Sequence, residues 1–128
     1  MKSIASLLSA AALGAASLLI PGVAHAAAPN YVALGDSYAS GVGTRTYISS
    51  SGSCQRSTKA YAYIDAARIG ANLTFVACSG AKVADVTANQ LPSVTSSTNI
   101  VSVQVGGNDA NFSSVITRWE ERCFVFEC

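Results

Sequence analysis

The chain has 128 residues, with eight basic and seven acidic side chains, a single histidine and a formal net charge of +1. A near-neutral balance of this kind leaves no electrostatic footprint for nucleic acid or for an anionic membrane surface. The length admits one small domain at most once any leader is set aside.

The first 26 residues read as a secretory signal peptide. Lys2 gives the positive start, residues 4–20 form an apolar run, Pro21 and Gly22 break it, and Ala24-His25-Ala26 is a small-residue cleavage site. The run is shorter than the roughly 20 residues that a spanning helix needs. The expectation is export with cleavage after Ala26, hence a secreted, extracellular protein with no stable membrane insertion afterwards. Cleavage also removes His25, so residues 27–128 contain no histidine.

After a short tether, Tyr31 to Leu34 reads as a buried strand that ends in the turn Gly35-Asp36-Ser37. Residues 44–57 are rich in Ser, Thr and Gly and read as a surface loop. A helix is predicted over 58–69, with Gly70 as its stop. Leu73 to Ala77 is a second apolar strand that turns out through Cys78-Ser79-Gly80. Residues 81–90 read as a short helix and 93–99 as a polar loop. A third strand spans 100–105, with Val101, Val103 and Val105 on one face, and ends in Gly106-Gly107-Asn108-Asp109. A third helix is predicted over 111–122, where Phe112, Val115, Ile116 and Trp119 fall on one face.

The order β-α-β-α-β-α implies a parallel sheet with helical crossovers, an α/β fold. Ligands of such sheets bind at the carboxyl ends of the strands. The turns at Ser37, Gly80 and Asn108 all fall at those ends. A hydroxyl, a bare glycine amide and a carboxamide are therefore delivered to one edge. Together they can attack an ester carbonyl and hold the developing oxyanion. Taken singly, each is an ordinary turn residue, and it is their coincidence that carries the catalytic reading.

Other chemistries fail on spacing. Gly41-Val42-Gly43 lacks the third glycine of a dinucleotide loop, and no Walker lysine is present. Ala39 stands where the Gly-x-Ser-x-Gly elbow needs glycine. Lys82 reads as a solvated helix lysine, and Asp36 and Asp109 as members of their turns. The four cysteines, Cys54, Cys78, Cys123 and Cys128, suggest disulfides in an exported chain. Three pairings are open, and nearness in sequence favours Cys54 with Cys78 and Cys123 with Cys128. Neither pair has C-x-x-C spacing, so no metal site is expected.

Gly35-Asp36-Ser37, then Gly80, then Gly106-Gly107-Asn108-Asp109 together resemble the sequence blocks of the SGNH or GDSL hydrolases, nearest to the secreted, disulfide-bonded actinobacterial lipases and esterases. The resemblance implies a flavodoxin-like three-layer α/β/α sandwich. It implies hydrolysis of small-molecule or lipid carboxylic esters without metal or organic cofactor. Ser37 would be the nucleophile, Gly80 and Asn108 would complete the oxyanion hole, and Cys54 would pair with Cys78. The family's last block, an Asp-x-x-His that supplies the base, has no counterpart in this sequence. Residues 27–128 are therefore expected to form the N-terminal part of such a domain, with the sheet incomplete on its C-terminal side and with weak or no turnover. The alternative is a non-catalytic secreted domain that binds an ester or a glycan.

Overall fold

The structure, a computed structural model, describes residues 27–126, and for 120–126 it gives the helical backbone alone. The expected leader and the question of a Cys123–Cys128 pair lie outside the described residues.

Strand β1 (Asn30–Gly35) is the centre of the sheet. Strands β2 (Asn72–Phe75) and β3 (Ile100–Gln104) flank it in the order β2-β1-β3, and both pair with it in parallel. The sequence of β1, nearly all apolar, fits this position, because a central strand of a parallel sheet is buried on both faces. Tyr31 and Ala33 point to one face and pack on Ala62 and Ala66 of helix α2 (Tyr61–Ile69). Val32 and Leu34 point to the other and pack on Ala81 and Val86. The chain is thus a three-layer α/β/α arrangement of flavodoxin-like strand order.

Helix α1 (Ser37–Ser40) is a single turn that the sequence pattern did not announce. Asp36 starts it, its carboxylate accepting the Tyr38 N–H at 3.0 Å. Gly41 ends it in the left-handed conformation. The helix expected from residue 58 begins instead at Tyr61. Ser57 delays it: its hydroxyl accepts the Lys59 N–H at 2.9 Å and its carbonyl accepts the Ala60 N–H at 3.2 Å. Side chains of Ser that bond nearby backbone hold a turn in place of a helix.

The segment expected as a helix over 81–90 divides. Helix α3 (Val83–Asp85) is one turn, and the chain widens into a π-helical turn over Val86–Gln90. Val86 and Gln90 are the residues of that turn that become buried.

Helix α4 (Phe112–Phe126) has the expected apolar face, but nothing covers it among the described residues. Phe112, Val115, Ile116 and Trp119 are all exposed, Trp119 to 68%. Val101 and Val103 of β3 share the sheet face of Val32 and Leu34 and are also exposed. α4 therefore does not lie back on the sheet. Val105, just past β3, does pack onto the cluster around Val32 and Leu34.

Candidate active site

The strand order places a crevice at one end of the sheet. From β1 the chain moves to β2 on one side, then returns to β3 on the other, so the connections diverge between β1 and β3. In open α/β sheets, that divergence at the carboxyl ends is where ligands bind. Ser37 follows β1 and Asn108 follows β3, so both stand at this point.

The end of β1 is held against β3 unusually closely. The Asp36 N–H donates to the Gln104 carbonyl at 3.0 Å. Gly35 has φ of +141°, and a Cβ there would run into the Gln104 carbonyl oxygen and lie 2.6 Å from the Ala39 Cβ. Glycine is thus required both by conformation and by space. On its other edge, Gly35 exchanges two hydrogen bonds with the carboxamide of Gln90, which is 4% exposed. These contacts fix where the chain turns into Ser37.

Ser37, half-buried, shares one cleft of about 360 Å³ with Asn108. Asp36, Tyr38, Val42 and Phe112 also line it, the last three giving it an apolar rim. The carboxamide of Asn108 donates one N–H to the Ala81 carbonyl at 2.9 Å. An amide NH2 carries two donors, so the second remains available while the first fixes the side chain. The Ser37 carbonyl accepts from the Ser40 hydroxyl and from the Gly41 N–H. No side chain among the described residues hydrogen-bonds the Ser37 hydroxyl.

Gly80 is placed differently from Ser37 and Asn108. It lines a neighbouring cleft of about 490 Å³, together with Arg56, Asp85, Gln90 and the Cys54–Cys78 disulfide. The two clefts are joined through the Asn108–Ala81 bond. A Cβ on Gly80 would meet open space, but φ is +83°, so its backbone conformation, and not crowding by the protein, accounts for glycine here. The disulfide settles the pairing that the sequence left open for Cys54 and Cys78. The Ser79 N–H also donates to the Cys54 carbonyl at 3.1 Å, so two links hold the Gly80 loop to the Ser49–Cys54 turn.

The acidic neighbours act as caps. Both carboxylate oxygens of Asp109 lie within 3.3 Å of the Val83 nitrogen, at the start of α3. Asp85 accepts the Lys82 N–H at 2.9 Å, and Lys82 itself is exposed. The residue the motifs did not single out is Gln90. Its only sequence signal is a polar side chain at the end of a helical segment, which is also what a solvated residue looks like.

A hydroxyl on a tight turn beside a fixed carboxamide donor is an arrangement suited to attack on a carbonyl carbon and to holding the oxyanion that results. Residues 33–124 match the model of the GDSL-like Lipase/Acylhydrolase family. Lipase 1 of Streptomyces coelicolor is 55% identical over 93 residues, which cover 72% of this chain and 35% of that protein. A lipase of Streptomyces rimosus is 56% identical over 91 residues, or 70% of this chain and 34% of its own length. Among solved structures, the extracellular lipase of Streptomyces rimosus superposes with a TM-score of 0.67 at 55% identity, covering 70% of this chain and 39% of that one. A phospholipase A1 of Streptomyces albidoflavus gives a TM-score of 0.67 at 52% identity, covering 71% and 39%. The chain spans about a third of the length of these curated relatives.

Proposed function

The chain belongs to the GDSL-like lipase/acylhydrolase family, and on that footing we propose that it carries the nucleophile and oxyanion donors of a secreted serine hydrolase of carboxylic esters. Residues 27–128 are the N-terminal part of the hydrolase domain, and the first 26 residues direct export. The observation that carries the reading is that Ser37 and Asn108 line one cleft at the divergence of β1 and β3. Ser37 Oγ attacks the ester carbonyl, the Ser37 amide and the free N–H of Asn108 receive the oxyanion, and the Gly80 amide completes the hole from the edge of the neighbouring cleft. The apolar rim of Tyr38, Val42 and Phe112 suits the acyl part of a lipid ester. The relatives described as lipases and as a phospholipase A1 support the same substrate class.

The proton of the Ser37 hydroxyl needs an acceptor for attack. The sequence given has its one histidine at His25, in the segment read as leader. A second reading, a secreted domain that binds an ester or a glycan without turning it over, rests on the Ser37 hydroxyl, which no side chain among the described residues hydrogen-bonds. An alkyl fluorophosphonate probe separates the two, because it labels an activated serine. Labelling at Ser37 that disappears in Ser37→Ala supports the hydrolase. Ester binding to the chain with no labelling, even when added imidazole supplies a base, supports the binding domain.

A further inference from the structure

We propose that Gln90 is a positioning residue for the nucleophile turn, acting as a surrogate strand where β2 stops. In the parallel sheet, Ala33 and Gly35 direct their backbone groups towards the β2 side. The Val76 N–H reaches the Ala33 carbonyl at 2.9 Å, and the Cys78 N–H reaches the Gly35 carbonyl at 3.0 Å. But β2 ends at Phe75, and no backbone carbonyl among the described residues accepts the Gly35 N–H. The side chain of Gln90 does. Gly35 N–H donates to Gln90 Oε1 at 2.7 Å, and Gln90 Nε2 donates to the Gly35 carbonyl at 2.9 Å.

A primary amide offers an acceptor and a donor side by side, as a peptide group on a neighbouring strand does. The carboxamide therefore completes the ladder over the last residue of β1. The π-helical turn supplies the geometry, since it buries Val86 and Gln90 together against β1. Gly35 is two residues before Ser37, and its opposite edge is already fixed by β3 through the Asp36–Gln104 bond. With Gln90 in place the turn is held from both sides. Without it, the Gly35 N–H is a buried donor with no partner and is free to move towards water.

This inference rests on the reading of Ser37 as the nucleophile for its purpose, but its geometry can be tested separately. The experiment is amide hydrogen exchange and ¹⁵N–¹H NMR on the full chain, comparing wild type with Gln90→Leu and Gln90→Glu. A protonated carboxyl has the same donor and acceptor pair as the amide, whereas a carboxylate has lost its donor. Gln90→Leu is expected to speed exchange of the Gly35 amide by about 100-fold while Val32 and Val101 change far less, and to shift the Ser37 amide signal. Gln90→Glu is expected to match wild type at low pH and to approach Gln90→Leu as its carboxyl ionises. Arg56 and Asp85 line the cleft that Gln90 also lines, so wild type and Gln90→Leu are followed over the same pH range as controls.

Equal acceleration along all of β1 would make Gln90 a general stabiliser and overturn the proposal. So would an unchanged Gly35 amide in Gln90→Leu, or a Gln90→Glu profile without pH dependence. Fluorophosphonate labelling of wild type against Ser37→Ala, with imidazole added as the base, reports on the nucleophile independently. If labelling fails while the exchange pattern holds, the assignment of Ser37 falls and the role of Gln90 at the turn stands.

Discussion

Asn108 donates a carboxamide N–H to the Ala81 carbonyl oxygen at 2.9 Å, and this bond ties the turn after β3 to the loop that carries Gly80. One side chain thus connects the two clefts and keeps its second N–H for the Ser37 cleft. Asn108→Ala removes both functions. With a base supplied, Ser37-dependent ester turnover is expected to fall by about 10²–10³, as loss of one oxyanion donor does elsewhere. The Gly80 amide should exchange faster as well. Turnover within twofold of the parent would remove Asn108 from the oxyanion site.

The hydroxyl of Ser37 has no side-chain partner among the described residues, and a serine without a base is a poor nucleophile. The chain as given is expected to hydrolyse p-nitrophenyl butyrate very slowly, with almost no response to Ser37→Ala. Serine hydrolases that lose one triad member retain only about 10³–10⁴-fold over water. Added imidazole, or the C-terminal part of a relative such as the Streptomyces rimosus lipase supplied as a fragment, should raise the rate. That increase should vanish in Ser37→Ala. Ordinary enzyme rates in the chain as given, lost in Ser37→Ala, would require a base within residues 27–128, and Lys82 is the first to substitute.

Gly35 is pressed against the Gln104 carbonyl and the Ala39 side chain. Gly35→Ala places a methyl where β3 already is and forces a strained φ. The expected cost is at least about 2 kcal/mol of stability. Urea titration followed by circular dichroism measures it. A midpoint equal to wild type would show that β1 and β3 can part without penalty.

Tyr31 donates its hydroxyl to Ser102 Oγ at 2.7 Å, and burial holds its ionisation above the ordinary tyrosine value. The folded chain therefore keeps the proton that the unfolded chain gives up. The contribution is complete below the ordinary value near 10 and is lost as pH rises through the folded value. Stability is expected to fall above about pH 10, more steeply in wild type than in Tyr31→Phe. Urea midpoints across that range test this, and parallel slopes in the two proteins would contradict it.

Much of the fold is written locally. The apolar run at β1, the glycines that end each strand and the helical spacing in α2 and α4 each follow from short-range patterns, and alternation implies a parallel sheet. The blocks around Ser37, Gly80 and Asn108 could be assigned to one edge for the same reason. Local pattern also has clear limits here. Ser57 bonds the backbone of its own turn and moves the start of α2 to Tyr61. The apolar face of α4 reads as core, yet periodicity gives a face and not its partner, and that face is exposed.

The sequence by itself determined which residues could do chemistry, because a hydroxyl, a flexible glycine and a carboxamide at strand ends are properties of residue type and order. Tertiary structure alone decided how they are arranged. It put Ser37 with Asn108 in one cleft and turned Gly80 into the next, since that depends on how β3 lies beside β1. It also selected Gln90, whose worth comes from an unpaired Gly35 amide 55 residues away in the chain. A vacancy of that kind exists only once β2 has ended and the sheet has formed around it, so no local pattern can announce it.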